Sequence, residues 1–198
     1  MTIFCFLDTE TTGLSGKKNF VLEVAWQLTD EKFNPVSTPR TFLVDHPNRW
    51  EEVFSQIHGN PFIQNMHTEN GLIADLTRTD PPSDFATMGD IMHTFAVDVL
   101  SNGGASQDVR LAGYSIHFDR MMLKKNGWKE LWKTKDLGFQ MHHRLLDLSS
   151  VLQMYQAAGR PAPSTFNETP HRALPDALDA LVLAQLMRDD IGNAMLVS

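Results

Sequence analysis

Phe6-Leu7-Asp8-Thr9-Glu10-Thr11-Thr12-Gly13-Leu14 is the stretch that decides the fold. Ile3 to Phe6 are apolar, which predicts a first, buried strand over Ile3–Asp8. Residues two apart on a strand share a face, so Asp8 and Glu10 place two carboxylates side by side at its end. Like charges that close repel unless something neutralises them. A hard divalent cation does so, and carboxylate ligation favours Mg²⁺ or Mn²⁺ over softer metals. Asp-x-Glu alone also suits a plain solvated strand end, so other segments must decide.

Val21–Thr29 and Thr41–Val44 predict two further strands, with Asp30–Pro39, charged and proline-containing, as a hairpin connection. Three strands joined by short turns form an antiparallel meander that begins on the strand bearing the acids. Helical spacing follows in Trp50, Val53, Phe54 and Ile57, and again over Phe62–Leu76. Met88–Leu100 is an amphipathic helix ended by Asn102-Gly103-Gly104. Arg110–Ser115 is a fourth strand, Phe118–Lys125 a helix, His143–Leu148 a fifth strand and Leu148–Ala158 a helix. Gly159–Pro170, with three prolines, is a loop. Pro175–Arg188 is nearly apolar all round at first and should be a buried helix. Strands first, then alternating helix and strand, predict one α/β domain with a mixed sheet over residues 1–198.

Composition narrows the function classes. With 198 residues, 42% of them hydrophobic, the chain can bury a sizeable core. Its net charge of −7 gives no general attraction to long nucleic acid. A nucleic-acid substrate would then be short, or held by metals and a few placed residues. The single cysteine, Cys5, excludes an internal disulfide and suits the core. No apolar run approaches the ~20 residues that cross a bilayer, and no basic-then-apolar leader opens the chain, so a cytoplasmic protein without membrane contact is expected.

Two later segments carry chemistry. Gly113-Tyr114-Ser115-Ile116-His117-Phe118-Asp119 puts Asp119 just past the fourth strand, at a helix start. His171-Arg172-Ala173-Leu174-Pro175-Asp176 puts Asp176 near the first turn of the last helix, with His171 on the loop leading in. Either aspartate alone would be read as a helix cap or a dipole partner. Their occurrence together and in order, after Asp8 and Glu10, argues for a shared site.

Phe6–Leu14, Gly113–Leu123 and His171–Leu181 resemble the three motifs of the DEDDh 3′→5′ exonucleases. The resemblance implies a ribonuclease H-like fold flanked by helices. It also implies two divalent cations, Mg²⁺ or Mn²⁺, held by Asp8, Glu10, Asp119 and Asp176, with His171 as general base. The chemistry suits these residue types, because two metals can stabilise both the attacking and the leaving oxygen of a phosphodiester. A binding module that kept the fold and lost the chemistry is the reading from another class. The presence of all five motif residues weighs against it.

Within that family the chain is most similar to oligoribonucleases. Phe62-Ile63-Gln64-Asn65-Met66-His67-Thr68-Glu69-Asn70-Gly71-Leu72 and His142-His143-Arg144-Leu145-Leu146-Asp147-Leu148-Ser149 carry the resemblance. It implies a short RNA or dinucleotide substrate, with His67, Ser115, Arg144 and Ser149 at the 5′ phosphate, Leu14 as a wedge and Phe62 as a stacking face. It implies a homodimer as well, with Trp128 and Trp132 placed either at the interface or in the core. Phe62 stands where the family usually has tryptophan, and His143 where it has tyrosine. The alternative is therefore a proofreading-type or RNA-trimming exonuclease acting on longer single-stranded DNA or RNA ends.

Overall fold

The computed structural model describes residues 2–80, 84–103, 108–133, 138–163 and 171–197. Most of the predicted loop at Gly159–Pro170 therefore lies outside the described residues, as do Pro81–Ser83 and Gly104.

Six strands form one sheet: β1 (Thr2–Thr11), β2 (Val21–Thr29), β3 (Arg40–Asp45), β4 (Phe85–Thr87), β5 (Asp108–Gly113) and β6 (Leu146–Asp147), in the spatial order β4-β3-β2-β1-β5-β6. The predicted meander is present, since β1–β2 and β2–β3 pair antiparallel. β4, β5 and β6 add parallel pairings at the two sides. β1 sits between β2 and β5 and runs three residues past the predicted end, so Asp8 and Glu10 still lie on the ladder, opposite Ala25 and Glu23.

One face of the sheet packs Cys5, Leu7, Val24 and Trp26 against α4 (Met88–Ser101), α5 (His117–Lys125) and the 3₁₀ turn Trp128–Trp132. The other packs Phe6 and Ala112 against α6 (Leu148–Ala157) and α7 (Ala173–Val197). All nine residues of β2 are buried, as a strand covered on both faces requires. A third cluster joins Phe20, Leu22 and Leu43 to α1 (Trp50–His58) and α3 (Leu72–Leu76) through Val53, Ile57, Leu72 and Leu76, and α2 (Pro61–Glu69) packs against both helices.

Three expectations are corrected. The helix expected over Phe62–Leu76 is two helices, because Gly71 adopts φ 79°, a left-handed turn that ends α2. The fifth strand shrinks to Leu146–Asp147 because Asp147 already caps α6, accepting from the Ser149 amide at 3.0 Å. The last helix is not buried all round, since Val182 and Leu186 face outward. Its buried face carries Ala173, Ala177, Ala180 and Ala184 at helical spacing. Short side chains let the helix axis approach the sheet closely, which sets the depth of the residues at its start. Trp128 is fully buried against Trp26 and Phe95, which makes it monomer core; Trp132 is half-buried.

Candidate active site

Asp8 and Glu10 point toward α7, on the face already occupied by Phe6. The close-packed start of α7 brings Asp176 to them. One carboxylate oxygen from each of Asp8, Glu10 and Asp176 lies within 4.8 Å of the others. Asp119 arrives from the α5 side of β1, where its Oδ1 accepts from the Thr9 hydroxyl at 2.7 Å. It stands outside the 4.8 Å group. Among neighbouring charges, however, it is the one that acts most strongly on Asp8. A close approach of backbones puts α5 within reach: a Cβ on Gly113, at the end of β5, would sit 2.8 Å from the Leu7 carbonyl.

The electrostatics are those of a negative cluster held out of water. Burial, then the charges of Asp119, Glu10 and Asp176, push Asp8 well above the usual carboxylate range. Burial, then Glu23 and Asp176, raise Glu10 to about 8, against a lowering pull from Arg172. Burial raises Asp119 to about 7, opposed by the Thr9 hydrogen bond. Burial raises Asp176 to about 6, opposed by His171. Three clustered carboxylates with Asp119 beside them, all oxygen donors, fit a hard divalent cation.

His171 is 70% exposed at the side chain, with Nδ1 3.9 Å from Asp176 Oδ2. Its carbonyl accepts from Asn70 Nδ2, which ties the entry loop of α7 to the end of α2. With Phe62, Asn65, Met66, Glu69 and Asn70 it lines an open cleft of about 350 Å³. Phe62 and Leu14 are 72% and 81% exposed, so both present free apolar surface at positions where a base could pack. The loop that presents Leu14 is fixed beneath it. Thr12 and Asn19 both donate to Gln56 Oε1, at 2.6 and 2.9 Å, and Gln56 donates back to the Lys18 carbonyl at 2.7 Å.

Ser115 takes the left-handed backbone conformation at φ 45°, and its amide donates to Ser149 Oγ at 3.0 Å. Their two hydroxyls lie 3.3 Å apart. Arg144 is exposed and does not pair with Asp147, whose carboxylate is engaged by the Ser149 amide and by His117 at 3.3 Å. His67 requires a correction. Its ring is 0% exposed, so it offers no atom to a substrate phosphate. Nε2 lies 3.1 Å from the Thr11 carbonyl, which can only accept, so Nε2 carries the proton and Nδ1 faces Asn70 and Glu10. His67 thus holds the end of β1 from behind.

Sequence reading missed two charged residues. Glu23 is 3% exposed beside Glu10, and Arg172 grips it with a fork of hydrogen bonds, the shortest 2.7 Å. The Ala173 amide also donates to Glu23 at 2.9 Å, and Arg172 reaches Asp75 at 2.9 Å. The pair therefore pins the start of α7 to β2. A lone acid inside the otherwise uncharged strand VLEVAWQLT was the available signal.

No family model matches the chain. An oligoribonuclease of Cutibacterium acnes is 29% identical over 181 residues, which covers 89% of this chain and 79% of that protein. A probable oligoribonuclease of Drosophila melanogaster is 25% identical over 185 residues, covering 91% and 78%. Among solved structures, exonuclease I of Methylocaldum szegediense aligns with a TM-score of 0.63 at 17% identity. Escherichia coli exonuclease I in complex with a dT13 oligonucleotide aligns with a TM-score of 0.61 at 16% identity. The chain spans about 41% of the length of each, so this likeness concerns the fold alone.

Proposed function

We propose that this chain, a 3′→5′ exonuclease of the DEDDh type most similar to the oligoribonucleases, hydrolyses short oligoribonucleotides, dinucleotides above all, to nucleoside 5′-monophosphates. The observation that carries the reading is the convergence of Asp8, Glu10 and Asp176 from β1 and α7, within 4.8 Å, in a chain similar along its length to oligoribonucleases. The exonuclease I chains share the fold only, and do not shift the substrate toward DNA.

Asp8, Glu10, Asp119 and Asp176 would hold two Mg²⁺ or Mn²⁺ ions, which when bound supply positive charge to the attacking and leaving oxygens. His171, with Nδ1 toward Asp176, keeps Nε2 to take the proton of the attacking water. Leu14 and Phe62 pack the two bases, a contact worth ~1–3 kcal/mol per base. Arg144, with the Ser115 and Ser149 hydroxyls, receives the 5′ phosphate, where the guanidinium fork matches phosphate geometry.

The test is a length series of 5′-phosphorylated RNA in Mg²⁺, with release of monophosphates as the readout. Turnover should be fastest on the dinucleotide and abolished by Asp8→Ala without loss of fold. Wild-type turnover in that variant, or a preference for twenty-mers, would refute the reading.

A further inference from the structure

We propose a second nucleic-acid contact site on the outward face of α5: a cationic groove that takes the phosphates of an RNA strand extending past the 5′ end of a bound dinucleotide. The groove has a volume of about 310 Å³ and is lined by His117, Arg120, Met121, Lys124, Lys125 and Leu145. Among the described residues no carboxylate lines it, in a chain with 24 acidic and 17 basic residues. So strong a local departure from the overall charge attracts an anionic occupant.

Arg120 and Lys124 are held in place, and among the described residues no carboxylate pairs with either. The Arg120 guanidinium and the Lys124 ammonium stand 5.8 and 4.9 Å from the centre of the Trp132 ring, one helical turn apart on the same face. Arg120 donates one N–H to the His143 carbonyl at 2.9 Å. Burial lowers the Lys124 ammonium below its ordinary value, and the positive charge of Arg120 lowers it further. The carboxylate at the rim, Asp147, is already engaged by His117 and by the Ser149 amide.

Position favours a nucleic-acid strand over an acidic protein face. One wall of the groove, Leu145, is the chain neighbour of Arg144, and His117 is two residues from Ser115. The opposite wall meets the loop of Leu14, where a Cβ on Gly16 would come within 2.9 Å of Met121 Cγ. The groove therefore begins where the residues assigned to the 5′ phosphate and to the bases end. Met121 gives it an exposed apolar floor against which a further base could lie.

The inference rests on the exonuclease reading. It is tested by measuring kcat/KM on two-, five- and seven-nucleotide RNA for the wild type and for Arg120→Gln/Lys124→Gln. On the dinucleotide the variant should stay within about two-fold of wild type, as surface substitutions do. On the seven-mer it should fall roughly 5- to 30-fold, the sum of two exposed charge contacts. The log–log salt slope of seven-mer binding should shrink by about 1.4 for two lost phosphate contacts. Arg120→Lys/Lys124→Arg should restore both.

Equal loss at every length, or an unchanged seven-mer, overturns the inference. So does a concentration-dependent increase in protein mass that the variant removes without touching length preference, which would make the face a contact between copies. Should the double variant lose dinucleotide turnover, Lys124→Gln alone carries the same comparison. A wild type that cleaves no strand defeats the exonuclease reading; a wild type whose length profile the substitutions leave alone defeats only this one.

Discussion

In chelator, the stability of the folded protein should fall as pH rises from 7 to 9. Glu10 is raised from 4.5 to about 8, Asp119 from 3.8 to about 7, and Asp8 well above 3.8. A carboxyl that grips its proton more tightly when folded stabilises the fold fully below its unfolded pKa. That advantage is lost as pH climbs through the folded value. At pH 7 Glu10 still lies about one pH unit below its folded value and retains ~1.4 kcal/mol; Asp119 retains ~0.4 kcal/mol; both have lost nearly all of it by pH 9. Asp8 adds to this, although protons shared within one cluster are not additive.

The Glu10 and Asp119 losses together, about 1.8 kcal/mol, correspond to a Tm lower by about 4–7 °C for a chain of this size. His46 and His67, both lowered by burial, are neutral in either state above pH 7 and contribute little slope in that window. Thermal unfolding followed by circular dichroism, in chelator and in millimolar Mg²⁺, is the assay. Bound cation replaces the protons as the source of positive charge, so the Mg²⁺ series should be nearly flat. Glu10→Gln should flatten the chelator series too. A Tm that is constant or rising from pH 7 to 9 in chelator would refute the view that these acids share one buried, uncompensated cluster.

Two further outcomes follow from the same geometry. His171→Ala should lower kcat by ~10²–10⁴-fold with little change in KM, the usual range for a lost general base. Unchanged kcat would take the ring out of the reaction. Arg172→Ala should cost ~3–5 kcal/mol, read by denaturant unfolding, because it leaves Glu23 buried and unpaired beside Glu10. Adding Glu23→Gln should recover much of that loss, and failure to recover would mean that Arg172 acts through Asp75 alone.

Asp8 and Glu10 were legible from spacing because alternation along a strand is a local rule. The meander was legible for the same reason, being built from neighbours in sequence. Asp119 and Asp176 were placed by their motifs, and their residue types already suited a hard cation. Phe62 and Leu14 were named by resemblance, but their exposure depends on what packs around them.

Tertiary structure alone decided the rest. His67 sits in a helical pattern that reads equally well as exposed; only the packing of α2 behind β1 buries it. The Glu23–Arg172 pair joins residues far apart in sequence, and no local propensity encodes which distant charge a buried acid will meet. The depth of Asp176 depends on buried alanines that let α7 approach the sheet. The cationic groove arises because α5, the Leu14 loop and the Arg144 segment meet at one edge. Sequence thus determined the kind of chemistry, since that resides in the functional groups themselves. Structure decided which groups stand close enough to act on one another, since Coulomb and hydrogen-bond energies depend on separation in space and not on separation along the chain.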